Sequence, residues 1–467
     1  MEFTEILDQI PDYKDFMTIA ELDKSSKKLA NQFENVDLNV IGKTRKERNI
    51  YCLKIGEGEK NALLFAFPHP NEPIGSMSLE FLSWFLAENP EFARETGYTW
   101  YLIKAIDIDG AILNEGWFKG KFNPIKYAKN YYRCAPFDQV EWTFPIDYKK
   151  LKWNNPLPET ESLMNLINEI KPDFMYSLHN SLGFGGVYFY VTRKVGSLFT
   201  DLSKFIRNEG LSLHLGEPEI PFRKVLHEAI FQNAGVQEQY DFLEESGVED
   251  PQKVIDTGTS SWDYLERIDD KDNFTLVCEL PYFYHNSIEN TSLTRYERRD
   301  LRLKSLEYNK DIFKHAKKYF GYIKKYCDKS TLIYRAVEEF VKSRRTYLNF
   351  AINKAKTSSI YDGKATIAQA FDSNVSIRYY FLTDISMIAR LYQETLEKHP
   401  ENKKDISKTK IELENWIEQE INNLLIDVDF KVIPIQKLVR IQIGSAFITL
   451  RNLSRKLFNN RLFDRLI

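Results

Sequence analysis

Cysteine is scarce and scattered. The 467 residues contain four, Cys52, Cys134, Cys278 and Cys327, and none falls in a CxxC or other close spacing. That excludes a cysteine-rich zinc module and argues against a disulfide scaffold. Four dispersed thiols in so long a chain fit a reduced, cytoplasmic protein. Long apolar runs are absent as well. Ala62 to Phe67 is the longest uninterrupted one in the first part of the chain, far short of the ~20 residues that span a bilayer. The start, MEFTEILDQIPDYKDF, is acidic and lacks a basic segment followed by an apolar one, so no secretory signal is expected. Glycine (20) and proline (17) are too few for collagen-like or linker sequence. There is no internal repeat, no GxxxxGK[ST] phosphate loop and no GxSxG serine elbow. The expectation is a soluble, cytoplasmic protein with no membrane partner and no evident nucleic-acid role.

What is present is apolar and aromatic. Hydrophobic residues make up 43% of the chain and aromatics 14%, enough for a large core and incompatible with disorder. Charge is divided unevenly. Residues 301–467 hold 31 Lys and Arg against 19 Asp and Glu, and the rest of the chain holds 33 against 48. Two units of opposite charge either attract each other or meet separate partners.

Thr18 and Glu21 form a capping box before an apolar stripe over 18–33. Leu38–Gly42 and Asn49–Ile55 alternate around a charged turn, the pattern of a hairpin. Ala62–Phe67, Thr99–Ile106, Phe174–Leu178, Gly186–Thr192 and Phe274–Leu280 read as strands. Stripes after Pro73 and over Pro158–Ile170 read as helices. The alternation predicts an α/β unit with a mixed, mostly parallel central sheet flanked by helices. Residues 107–157 show little periodicity and read as a long functional loop. Beyond residue 295, Lys-, Leu- and Glu-rich stretches at helical spacing dominate, clearest at Ile411–Leu425 and Pro434–Leu457. The expected division is an α/β catalytic domain over 1–295 and an all-helical domain of unread role over 296–467.

HPNEPIG at 69–75 follows a buried strand and offers His69 and Glu72 three residues apart. His179 stands at the end of another strand and Glu279 at the end of a third. Ligands of open α/β sheets collect beyond the carboxyl ends of the strands. Two imidazoles and one carboxylate leave a tetrahedral zinc one open position, the composition of a catalytic site. A strand-end carboxylate such as Glu279 is either ion-paired or working as a base.

This order of features resembles the zinc carboxypeptidase family of the carboxypeptidase A type: HxxE, a remote His, then a later Glu. VIGKTRKERNIYCLKIG resembles the strand, turn and strand before the family's zinc loop, IDIDGA at 106–111 its NPDG step, and GTSSWDY at 258–264 its specificity segment. The likeness spans about residues 15–290. It implies the family fold for the first unit, one Zn2+ per chain on His69, Glu72 and His179, and Glu279 as the general base towards a zinc-activated water. It places further catalytic or substrate contacts on Arg133, Asn130, Trp142 and Ser260.

The sequence also departs from the family. The family's Asn-Arg pair, which holds the substrate carboxylate, has Glu141-Trp142 in its place in VEWTFP. Arg133 can then fork onto the carboxylate, stabilise the oxyanion, or pair with Asp138 or Glu141. Lys119 or Lys121 can add a second charge, and His285 can support Glu279. The implied activity is a metallocarboxypeptidase acting on a peptide or small amide beside a free carboxylate. The alternatives are a zinc deacylase acting on a small N-acyl amino acid or modified peptide, and a non-catalytic zinc-binding scaffold.

Overall fold

The structure, a computed structural model, describes residues 3–181, 183–218, 223–269, 271–398 and 403–453. Nine strands make the main sheet: β1 (Val36–Lys43), β2 (Asn49–Ile55), β3 (Lys60–Ala66), β4 (Tyr98–Ile103), β5 (Phe174–Leu178), β6 (Tyr188–Val191), β7 (Val225–His227), β8 (Ile230–Gln232) and β9 (Phe274–Glu279). Their order is β1-β2-β4-β3-β5-β9-β6-β8-β7. The central four, β4-β3-β5-β9, run parallel, with antiparallel strands towards both edges. β5 and β9 are buried at every position, which is why they read as unbroken apolar runs instead of alternating ones.

Register decides the site. Ala66 pairs with Leu178, and Leu178 with Cys278. The three parallel strands therefore end in one row, and His69, His179 and Glu279 stand just beyond it. Phe67, immediately after β3, is a buried non-glycine residue at φ 54°. Such backbone costs on the order of 1–3 kcal/mol and persists only where the surroundings impose it; here it turns the chain into the His69 loop.

Helix α1 (Ile19–Gln32) carries the predicted capping box. Helix α2 (Ile74–Glu88) follows the HPNEP loop. Gly75 lets it seat on the strand ends, because a Cβ there would lie 2.7 Å from that of Leu178. Helices α3 (Pro158–Ile170), α4 (Leu198–Asn208) and α5 (Ser261–Ile268) complete this part. The stretch 107–157 is more ordered than its weak periodicity predicts. It holds helices Ile108–Asn114 and Pro124–Asn130, capped by Asp107 and Asn123, and a small hairpin of Ile146–Tyr148 with Leu151–Trp153. Elements of three to seven residues are too short for a period to register.

Four long helices follow: α6 (Arg298–Ile323), α7 (Leu332–Thr357), α8 (Ile377–Lys398) and α9 (Lys403–Leu425). The final helix, α10 (Ile435–Leu453), corrects the expected boundary at 295/296. It packs on α2 and α4 beneath the sheet. Gln442, fully buried on it, donates from Nε2 to the His179 carbonyl at 2.9 Å and accepts from Ser78 Oγ at 3.0 Å. Phe283 and Tyr284 ladder with Val432 and Lys431, so the chain leaves the α/β unit and returns at one place. The helical part is thus an insertion before the last helix of the α/β unit. The expected extension of α10 to Leu457 lies outside the described residues. Replacing Gln442 with Leu should cost ~2 kcal/mol, by stranding a buried carbonyl and a buried hydroxyl, a loss readable in urea unfolding.

The uneven charge has a structural use. Arg335 pairs with Asp138 at 2.9 Å, Arg298 with Glu217 at 2.7 Å, Arg440 with Glu209 at 3.0 Å and Arg451 with Asp201 at 2.6 Å. In each pair the cation comes from beyond residue 295 and the anion from before it.

Candidate metal and active site

His69, Glu72 and His179 are all buried, and one ligand atom from each lies within 4.8 Å of the other two. Glu72 is the hub. Its Oε1 lies 3.0 Å from His69 Nδ1 and accepts from Arg133 Nη1 at 2.8 Å. Its Oε2 accepts from the Asn180 amide at 3.2 Å and faces His179 Nδ1 at 3.2 Å. Glu279 Oε1 stands 3.7 Å from the same His179 nitrogen.

This donor set fits zinc. His69 Nε2 and His179 Nδ1 are buried without a hydrogen-bond partner, a costly state for nitrogens in a protein interior and a favourable one for metal ligands. The protons point the same way. Burial and then the Arg133 charge push His69 down to about 3, so it is neutral. Burial opposes protonation of His179, but the hydrogen bond to Glu72 and the Glu279, Glu72 and Glu141 carboxylates push it up to about 9. Burial would raise the Glu72 carboxyl, yet the two imidazoles hold it well below its ordinary value.

A pH dependence follows. A ligating imidazole must be deprotonated, and without metal His179 keeps its proton below about 9. Zinc therefore displaces one proton, and its affinity should rise about tenfold per pH unit through the neutral range and level off above the His179 value. Competition titrations against a chromophoric chelator at several pH values check this; a flat profile would contradict it.

Behind His179 stands a polar chain that the sequence reading missed. His179 Nε2 lies 2.8 Å from Ser177 Oγ, and that hydroxyl donates to Glu141 Oε1 at 2.6 Å. Glu141, fully buried, also accepts from Ser261 Oγ at 3.0 Å and from the Ser261 amide at 2.9 Å. The expectation that Glu141-Trp142 takes the position of a substrate clamp is therefore corrected: the carboxylate faces inward, supporting a metal ligand. A signal was available, since Ser177 is the lone hydroxyl in FMYSL and shares a strand face with His179.

Arg133 reaches the site, donating to Glu72 and, at 3.1 Å, to Asn71 Oδ1. The alternative pairing with Asp138 or Glu141 does not form, because Asp138 takes Arg45 and Arg335. Three predicted substrate residues are not brought to the metal site. Asn130 ends its helix, donating to the Lys126 carbonyl at 2.9 Å. Trp142 packs edge-on against Trp262, centroids 6.1 Å apart. Ser260 is buried as the N-cap of α5. Lys119 pairs with Glu21. His285 stacks on Phe371 and accepts from the Ser287 amide. The loop aromatics Trp117, Tyr127, Tyr131 and Tyr132 are fully buried, and Asn114 ties the loop to the Pro70 carbonyl at 2.9 Å. Asn71 and Asn180, neighbours of predicted ligands, orient Arg133 and Glu72.

Comparison with known proteins agrees with this geometry over part of the chain. Residues 22–194 match the zinc carboxypeptidase family. No curated protein matches. Among solved structures, a carboxypeptidase A from Helicoverpa armigera is 14% identical, with a TM-score of 0.39, covering 61% of this chain and 72% of that one. A metallo-carboxypeptidase from Burkholderia cenocepacia is 15% identical, with a TM-score of 0.34, covering 57% of this chain and 60% of that one. One from Pseudomonas aeruginosa is 14% identical, with a TM-score of 0.33 and coverages of 57% and 60%. Residues 22–194 thus belong to the zinc carboxypeptidase family, and the chain is a metallopeptidase-type hydrolase.

Proposed function

We propose that this hydrolase is a zinc-dependent carboxypeptidase that cleaves an amide bond beside a free carboxylate, with one zinc per chain on His69, Glu72 and His179. One observation carries the reading: Glu279 stands 3.7 Å from His179 Nδ1, at the edge of a buried His-Glu-His cluster but outside it. Zinc supplies a Lewis acid for the scissile carbonyl and brings the pKa of a water to around 7. Glu279 takes the proton of the attacking water and returns it to the leaving nitrogen. Arg133 keeps guanidinium donors beside Glu72 for the oxygen that gains charge.

A second reading, a deacylase of small N-acyl amino acids, is favoured by the helical insertion. It closes over a cavity of about 390 Å³, room for a small substrate. Both readings share the free carboxylate. Zinc-loaded protein offered N-blocked dipeptides, longer peptides and N-acyl amino acids, with products followed by mass spectrometry, separates them. Release of a carboxyl-terminal residue is expected; turnover of N-acyl amino acids alone would favour the deacylase, and no hydrolysis of any of them would overturn both.

A further inference from the structure

The loop that should clamp a substrate carboxylate is spent on His179, and Arg133 is spent on Glu72 and Asn71. The cavity beside them has other cations. Arg133 and Ser181 form part of one wall, and α6, α7 and α8 of the insertion bring Arg298, Arg302, Arg344 and Lys354 to the others. Most of these are engaged. Arg298 forks onto Glu217 at 2.9 and 2.7 Å. Arg344 pairs with the buried Asp384. Lys354 lies over the Phe242 ring at 3.9 Å. Asp372, the other acid on the wall, accepts from the Glu217 amide at 3.0 Å and lies 3.8 Å from His214.

Arg302 differs. It stands one helical turn beyond Arg298 on the same face of α6. Its Nε and Nη1 are sealed from solvent and have no hydrogen-bond partner. A buried guanidinium with open donors is expensive to keep and is shaped to take a planar carboxylate through two parallel N–H bonds.

We propose that Arg302 holds the free carboxylate of the substrate, a clamp delivered by the helical insertion in place of the one absent from residues 139–145. The proposal rests on the carboxypeptidase-type reading above. The walls between Arg302 and Arg133 include Phe184, Tyr347, Phe350 and Phe381, so the matching substrate is a short chain ending in an apolar or aromatic residue with its carboxylate free.

The test uses the full zinc-loaded chain and two probe pairs. One is an N-blocked dipeptide ending in Phe, as free acid and as carboxyl-terminal amide. The other is N-acetylphenylalanine and its amide, read by calorimetric binding. For Arg302→Ala, KM for the free-acid dipeptide should rise at least about tenfold with kcat within about twofold, and any turnover of the amide should be unchanged. Binding of N-acetylphenylalanine should weaken by the same factor. Arg302→Lys should recover part of both, and zinc content and melting temperature should match the parent. An Arg302→Ala variant that treats free acid and amide as the parent does, or weakens both equally, overturns the proposal. A parent that hydrolyses none of the probes overturns the carboxypeptidase reading instead, and the binding pair still decides for or against Arg302.

Discussion

Replacing Glu279 with Gln should leave zinc content near one per chain and cut hydrolysis by a factor of ~10⁴. The side chain keeps its size, and β9 keeps its pairing of position 279 with Tyr188. What is lost is one acceptor for a proton. Glu279 is outside the His-Glu-His cluster, so metal affinity should move little, whereas a carboxamide cannot take a proton from the attacking water or return it to the leaving nitrogen. The loss should fall on kcat, with KM near that of the parent, because the residue acts as the reaction proceeds and holds no part of the resting substrate. Zinc analysis together with single-turnover kinetics reads both quantities on one sample. Retained activity would remove the role assigned to Glu279. A parent as inactive as the variant would instead favour the scaffold reading.

The sequence made some of this legible for a physical reason. A strand buried on both faces shows as an unbroken apolar run, and the first polar residue past its end has only the sheet edge to occupy. His69, His179 and Glu279 were found that way. What a linear reading could not supply is register: that Ala66, Leu178 and Cys278 fall in one row depends on pairing between strands far apart in the chain. The last helix was misplaced because a helical period says how a segment folds, not what it packs on. Its composition held a hint, since IQIGSAFITL is apolar nearly all round and is buried from Ile441 to Leu450, as expected of a helix with protein on every side. Asn130, Trp142 and Ser260 were chosen by their position along the chain. Each is occupied locally, by a helix end, an aromatic partner and a helix cap.

Substitution of Glu141 should weaken zinc binding without touching the substrate. The Ser177 hydroxyl has a single hydrogen, and at 2.6 Å it goes to Glu141 Oε1. Ser177 Oγ is then left to accept from His179 Nε2 at 2.8 Å. This fixes the proton on Nε2 and leaves Nδ1, 3.2 Å from Glu72 Oε2, as the ligating nitrogen. In Glu141→Gln the amide group can serve Ser177 with its oxygen only by turning its NH2 towards the Ser261 amide, which now donates to Oε2 at 2.9 Å. Two donors then face each other in a fully buried place. Zinc affinity should fall about 10- to 100-fold, the usual cost of removing the partner of a ligating histidine, and the metal-free protein should lose ~3 kcal/mol of stability. Calorimetric zinc titration and urea unfolding measure the two, and at saturating zinc KM should stay within about twofold of the parent. The reverse pattern, unchanged zinc affinity with a raised KM, would return Glu141 to the substrate-facing position that its place in VEWTFP suggested. The inward-facing carboxylate requires that the metal feel the change first.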